Sequence, residues 1–304
     1  MPLAPRSAHI ERIERGDLAC WQIRGADGAE LLIAEQGAQV LAYTPAGGRP
    51  LIWLSEDAAF TRGQSVRGGV PVCWPWFGDL ARNPAEVQAM RQAETPAPAH
   101  GEVRARDWQL LNIADEDDGV SIEFILDAAE DGLPGWPHAL ELKLAIRLDA
   151  RLSISLVTTN LGREPVAFSQ ALHSYFAVGD IHQVSVEGLE GRRYIETLEN
   201  WQERRQQGAP RFAGETDRIY LDLPPTLSIV DPAWQRRIVL EASGSDSAVL
   251  WNPWIDKAAR LSQFADDAWQ RMLCIETANV MDDCIVLAPE ATHEMGVSIR
   301  AEAL

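Results

Sequence analysis

The chain of 304 residues is most informative at first through what it lacks. It has no G-x-G-x-x-G, no G-x-x-x-x-G-K-[ST], no H-E-x-x-H and no G-x-S-x-G. Dinucleotide binding, P-loop phosphoryl transfer, zincin proteolysis and elbow-type serine hydrolysis each lose their usual local marker. Together these absences shift weight towards chemistry without a cofactor. Cysteine is scarce: Cys20, Cys73, Cys274 and Cys284 lie far apart, with no C-x-x-C pair and no histidine at zinc spacing. Free buried thiols are expected, not a disulfide framework or a bound metal. No apolar run approaches the roughly 18 residues of a spanning helix. Met1–Gly16 alternates charged and apolar residues without the apolar stretch of a secretory signal. Basic residues are outnumbered, 27 Lys+Arg against 45 Asp+Glu, for a net charge of −18. Proteins that grip nucleic acid or anionic lipid have the opposite balance, so neither is expected as a partner. A cytoplasmic monomer acting on a small molecule is the expectation, and an anionic ligand stays open if a few arginines converge on it.

What the chain does have is alternation, the period-2 mark of half-buried strands. Leu142, Leu144, Ile146 and Leu148 are followed, after Asp149-Ala150-Arg151, by Leu152, Ile154 and Leu156, which predicts a hairpin. Val120, Ile122, Phe124 and Leu126 repeat the pattern upstream, and Met295, Val297 and Ile299 carry it into the C-terminal run Glu294–Leu304. The 22 glycines and 18 prolines punctuate short segments throughout. Helical signals are few: a short helix within Pro84–Glu94, and one over Lys257–Met272 from the spacing of Leu261, Ala265, Ala268 and Met272. Strands do not alternate regularly with helices, so an all-β fold, mostly antiparallel and with few short helices, is expected as one domain over residues 1–304.

Five segments set polar residues among apolar or aromatic ones. Arg67 precedes two glycines and the run Val70-Pro71-Val72-Cys73-Trp74-Pro75-Trp76-Phe77, and is either an anion clamp beside an aromatic wall or a solvated turn residue. Ala99-His100-Gly101-Glu102-Val103-Arg104 is a second polar loop, and Asp217-Arg218-Ile219-Tyr220 enters a strand. His173 stands in an apolar strand segment, where a hydrogen-bonded core histidine is the plain alternative to a catalyst. Glu276, between Ile275 and Thr277, is harder to dismiss. Burying a lone carboxylate costs several kcal/mol unless it is paired or neutralised, and desolvation lifts such a group towards the range of a general base.

In order along the chain, these segments resemble the hexose-6-phosphate mutarotases (glucose-6-phosphate 1-epimerases) of the aldose 1-epimerase group. The resemblance rests on R-G-G-V-P-V-C-W-P-W-F-G at Arg67–Gly78, A-H-G-x-x-R at Ala99–Arg104 and A-L-H-S-Y-F-x-V-G-D-I at Ala171–Ile181. T-D-R-I-Y-L at Thr216–Leu221, W-N-P-W at Trp251–Trp254 and C-I-E-T-A at Cys274–Ala278 complete it. It implies a galactose mutarotase-like β-supersandwich with a sugar cleft and no cofactor. It further implies His173 and Glu276 as the acid–base pair, with Arg67, His100, Arg104 and Asp217 contacting a sugar phosphate and the arginines serving its phosphate. Two departures stand out. Glu102 occupies a position where the family usually has an aromatic, and Ala99 one where some relatives have glutamine. The tryptophans Trp74, Trp76, Trp251 and Trp254 either stack on sugar or fill the core. An epimerase of an unphosphorylated or other acidic aldose, or a sugar-phosphate binder without activity, remain the alternatives.

Overall fold

A computed structural model describes residues 7–128 and 132–304; Met1–Arg6, part of the stretch read for a signal sequence, lie outside the described residues. The hairpin forms where the alternation places it, as Leu140–Leu148 and Leu152–Asn160 in antiparallel register with Leu148 opposite Leu152. Its turn closes on the Asp149 side chain, whose Oδ1 accepts the Arg151 N–H at 3.0 Å. The apolar residues of each strand are buried and alternate with half-exposed or exposed neighbours.

Around this hairpin stands an eight-stranded sheet in the order Ser185–Glu187, Thr226–Asp231, Arg236–Ser243, Thr292–Ala303, Leu152–Asn160, Leu140–Leu148, Gly119–Ala128, Gln109–Glu116. A second sheet runs Gln202–Arg205, Arg193–Glu196, Thr216–Leu221, Ser247–Asn252, Met272–Asn279, Gln170–Leu172, Val72–Cys73, with Tyr175–Ala177 also paired to Met272–Asn279. A four-stranded meander, His9–Arg15 to Val40–Thr44, and the pair Val166–Phe168 with Ile285–Leu287 complete the named strands. Every pairing between named strands is antiparallel. Phe124, Leu144 and Leu156 of the first sheet and Val249, Leu273 and Ile275 of the second belong to one continuous apolar core. The result is an antiparallel β-sandwich, as expected from the alternation. No helix among the described residues is long and apolar enough to cross a membrane.

The helix expected over Lys257–Met272 does not form. The chain makes one turn at Trp254–Ala258, a 3-10 turn at Ala268–Arg271, and then enters a strand at Met272. Gln263 lies between them with φ 56°, in the left-handed region that ends a helix. The apolar spacing there serves loop packing, and the Ser262 and Gln263 carbonyls accept from Arg67 and Ser55. The helix within Pro84–Glu94 is confined to Ala85–Gln88.

Candidate active site

The second sheet builds the site through its own alternation. On Met272–Asn279, Ile275 and Thr277 face a gap shared with Leu227 and Leu240 of the other sheet, so Cys274 and Glu276 face the opposite way. Register then sets side chains in rows across three strands. Asp217 pairs with Trp251 and Trp251 with Cys274; Ile219 pairs with Val249 and Val249 with Glu276. These rows floor a hollow of about 430 Å³ whose lining includes Asp217, Ile219, Val249, Trp251 and Glu276. That size falls within the range of about 300–1,000 Å³ usual for small-molecule sites.

His173 reaches the same floor from a break between two short strands. Gln170–Leu172 and Tyr175–Ala177 both pair with Met272–Asn279, and between them the His173 N–H donates to the Pro71 carbonyl at 3.0 Å. Its Nδ1 stands 3.4 Å from Glu276 Oε2. Both atoms are buried, and neither has a hydrogen-bond partner among the described residues. The imidazole is held in plane by Tyr175, stacked at 4.7 Å between centroids and 6° between planes. Burial pushes the Glu276 carboxyl well above its ordinary range, and Asp217 adds to the shift. Burial pushes the His173 imidazole well below its own, with His100, Arg104 and Arg67 acting in the same direction. Isolated charge is disfavoured on both groups.

His100, half-buried, lies 5.4 Å from His173 between ring centroids and lines the hollow. Burial, reinforced by Arg104 and Arg67, pushes its pKa down to about 3, so it is neutral. Its Nδ1 accepts the Gly78 N–H at 3.3 Å, leaving Nε2 to carry the ring proton. Gly101 follows at φ 76°, where a Cβ would collide with the Trp74 carbonyl, so only glycine lets the loop lie this close. Asp217 also lines the hollow, its carboxyl raised chiefly by burial.

The arginines stand in an adjoining lobe of about 420 Å³ lined by Arg67, Ala99, His100, Arg104, His173 and Tyr175 among others. Arg67, His100, His173 and Tyr175 line both spaces, so the two lobes share a wall at the acid–base pair. Arg67 donates to the Tyr175 hydroxyl and the Ser262 carbonyl at 3.4 Å each, and Arg104 to the Ala99 carbonyl at 2.8 Å. Neither makes an ion pair among the described residues. Glu102 lines neither lobe; its N–H donates to the Trp74 carbonyl at 2.8 Å. All six residues singled out in the sequence therefore meet around one divided cleft, Arg104 in the outer lobe alone.

Of the four tryptophans, Trp251 lines the hollow, Trp74 and Trp76 are fully buried, and Trp254 packs on Trp269 at 4.4 Å. The sequence reading missed Tyr175, Arg82, Trp201 and Lys257, which line the cleft as well. Tyr175 had a usable signal, since it lies two residues from His173 in a segment that reads as a strand, where such a pair shares a face. The Arg82 guanidinium sits 5.1 Å from the centre of the Trp201 ring, a contact between distant loops with no local signature.

A family model described as aldose 1-epimerase matches residues 19–300. The chain belongs to the aldose 1-epimerase family. It is an isomerase acting as an aldose epimerase, or mutarotase. Among its relatives, it is 35% identical over 268 residues to the Escherichia coli (strain K12) protein provisionally named glucose-6-phosphate 1-epimerase, covering 88% of this chain and 85% of that one. A Cenchrus ciliaris protein of the same provisional name is 32% identical over 268 residues, covering 85% and 77%. A Salmonella typhimurium crystal structure provisionally described as a mutarotase superposes with a TM-score of 0.86 at 29% identity, covering 97% of this chain and 94% of that one.

Proposed function

We propose that this aldose epimerase interconverts the α and β anomers of a hexose 6-phosphate, glucose 6-phosphate foremost, without a cofactor. The observation that carries the reading is the shared wall. An orphaned carboxyl and imidazole 3.4 Å apart floor one lobe, and two arginines without ion-pair partners among the described residues line the next. Two relatives provisionally named for glucose 6-phosphate lend it support.

Anomer exchange needs the C1 hydroxyl to lose a proton while the ring oxygen gains one and the C1–O5 bond breaks. The aldehyde then turns about C1–C2 and the ring closes on its other face. Glu276 as carboxylate takes the hydroxyl proton, and His173 as imidazolium supplies the ring oxygen. Before opening, the pair holds one proton, on the histidine; after opening it holds one, on the glutamate. The pair need exchange no proton with water during the cycle. Burial favours the neutral combination, which is the state that accompanies the open-chain sugar. Each positioned proton transfer is worth about 10²–10⁴-fold. Neutral His100 donates to a sugar hydroxyl, Asp217 accepts from another, and the Trp251 ring offers an apolar face to the pyranose.

With a net charge of −18 the whole protein repels a dianion at long range. Salt screens that repulsion beyond about 8 Å. Inside the outer lobe, charge-assisted bonds from Arg67 and Arg104 dominate instead, because guanidinium matches phosphate in a bidentate fashion. The test is two-dimensional exchange NMR on glucose 6-phosphate and glucose with and without the protein. Faster exchange, greater for the phosphate, is expected, with its loss in Glu276→Gln and His173→Ala. No acceleration of either sugar overturns the reading, and equal acceleration of both overturns its phosphate part.

A further inference from the structure

The proposed reaction makes no use of a buried thiol beside its acid–base pair. Cys274 precedes Glu276 by two residues on the strand Met272–Asn279, so both side chains leave the same face. Cys274 Sγ, His173 Nδ1 and a Glu276 carboxylate oxygen all lie within 4.8 Å of one another. Among the described residues no other three His, Cys, Asp or Glu side chains are gathered this way. Two of the three donors, His173 Nδ1 and Glu276 Oε2, are buried without any hydrogen-bond partner.

Their 3.4 Å separation is a second coincidence. Donors about 2.0–2.1 Å from a tetrahedral zinc ion stand about 3.4 Å from each other, and a thiolate at about 2.3 Å stands slightly farther out. One nitrogen, one sulfur and one oxygen suit zinc better than magnesium or calcium, which prefer oxygen alone. Three protein donors leave the fourth position to water from the hollow, and the hollow gives an ion its way in.

We propose that His173, Cys274 and Glu276 form an inhibitory zinc site at the base of the sugar cleft. Zinc takes the nitrogen and the oxygen that would handle the substrate's protons, and two protons pass to solvent as it binds, one from the thiol and the one the pair holds. Occupied, the enzyme holds a sugar-free, inactive cleft. Binding rests on geometry alone. Inhibition rests in addition on the acid–base roles argued above, so the two are measured separately.

The experiment uses the full chain in a Cys284→Ser background, because Cys284 is half-exposed and would compete for metal. Titration calorimetry with Zn²⁺ alone should give one ion per chain, and Co²⁺ in its place should produce a thiolate-to-metal charge-transfer band. Glucose 6-phosphate exchange should fall with zinc occupancy and return on adding EDTA. Cys274→Ala should abolish the band, weaken zinc binding by about a hundredfold and leave the zinc-free exchange rate unchanged. Cys274→Ser repeats the test should the alanine variant fail to fold. Absence of stoichiometric binding, absence of the band, or equal zinc affinity in the cysteine variants overturns the site. A chain that binds zinc through Cys274 but never accelerates anomer exchange leaves the site standing and removes the proposed function.

Discussion

Two of the acid–base partnerships buried among the described residues are built in opposite ways. Asp231 is fully buried; its Oδ2 accepts from Arg236 Nε at 3.2 Å, and the Gly179 N–H donates to both its oxygens at 3.3 and 3.2 Å. Arg236 spends its remaining donors on the Pro50 carbonyl at 2.9 Å and the Ala177 and Arg49 carbonyls, with its guanidinium 4.6 Å from the centre of the Trp234 ring. Every direction around that pair is filled. At His173 and Glu276 the facing atoms are left without partners and a cavity begins where a third group would stand. Saturated, a buried pair fixes the chain; left open, it keeps bonding capacity for something that arrives later. Such an opening costs stability, since an orphaned buried polar atom is worth about 1–3 kcal/mol.

That contrast sets the largest expected effects. Glu276→Gln should lower anomer exchange by about 10²–10⁴-fold while the protein stays folded, because one positioned proton transfer is lost and side-chain shape is kept. Asp231→Ala should do the reverse. Leaving the Arg236 charge buried and unpaired costs about 3–5 kcal/mol of stability, with the exchange rate per folded molecule unchanged. Urea denaturation read beside exchange NMR separates the two. A Glu276→Gln protein that unfolds, or an Asp231→Ala protein that stays stable, would erase the distinction between the pairs.

The two pairs also differ in how far the sequence betrays them. Glu276 is conspicuous because a carboxylate among Cys274, Ile275 and Thr277 has no cheap place to go, and His173 stands out in an apolar segment that reads as a strand. Asp231 and Arg236 flank a turn, Pro232–Trp234, that reads like any surface connection; only the fold reveals that it is buried. Strands were legible where alternation is strong, as at Val120–Leu126 and Leu142–Leu156, because one face of each is core. Periodicity failed at Leu261–Met272, where apolar residues spaced as on a helix are used by a loop wrapping the cleft. The cleft's far wall, Arg82 with Trp201, was illegible because neither residue has meaning until two loops meet.

A smaller effect is expected at the arginines. Arg67→Ala and Arg104→Ala should each raise KM for glucose 6-phosphate by about tenfold to a hundredfold, the worth of a charge-assisted hydrogen bond at about 1.5–3 kcal/mol. Free glucose should be turned over as before by Arg104→Ala, since Arg104 lies in the outer lobe only. Arg67 borders both lobes and holds the Tyr175 hydroxyl, so its loss should also disturb the sugar end. Steady-state exchange rates on the two sugars read the split. If Arg104→Ala impaired both sugars equally, the outer lobe would not be where phosphate binds.

The smallest effect lies in how stability depends on pH, and its sign follows from the direction of each shift. Glu276 has a folded-state value raised above the ordinary 4.5, so the folded protein holds that proton more tightly than the unfolded chain does. Its contribution is fully present below 4.5 and is lost as pH rises through the raised value. His173 is shifted down from 6.5, so its contribution is complete above 6.5 and is lost as pH falls through the lowered value. Glutamine at position 276 carries no titrating proton and removes only the first of these losses. The melting temperatures of wild type and Glu276→Gln should therefore run parallel in acid and separate progressively above pH 4.5, the variant becoming the more stable. Parallel curves across the whole range would mean that the folded carboxylate is as well solvated as the unfolded one. In that case the open pair would differ from the Asp231–Arg236 pair in shape but not in electrostatic cost.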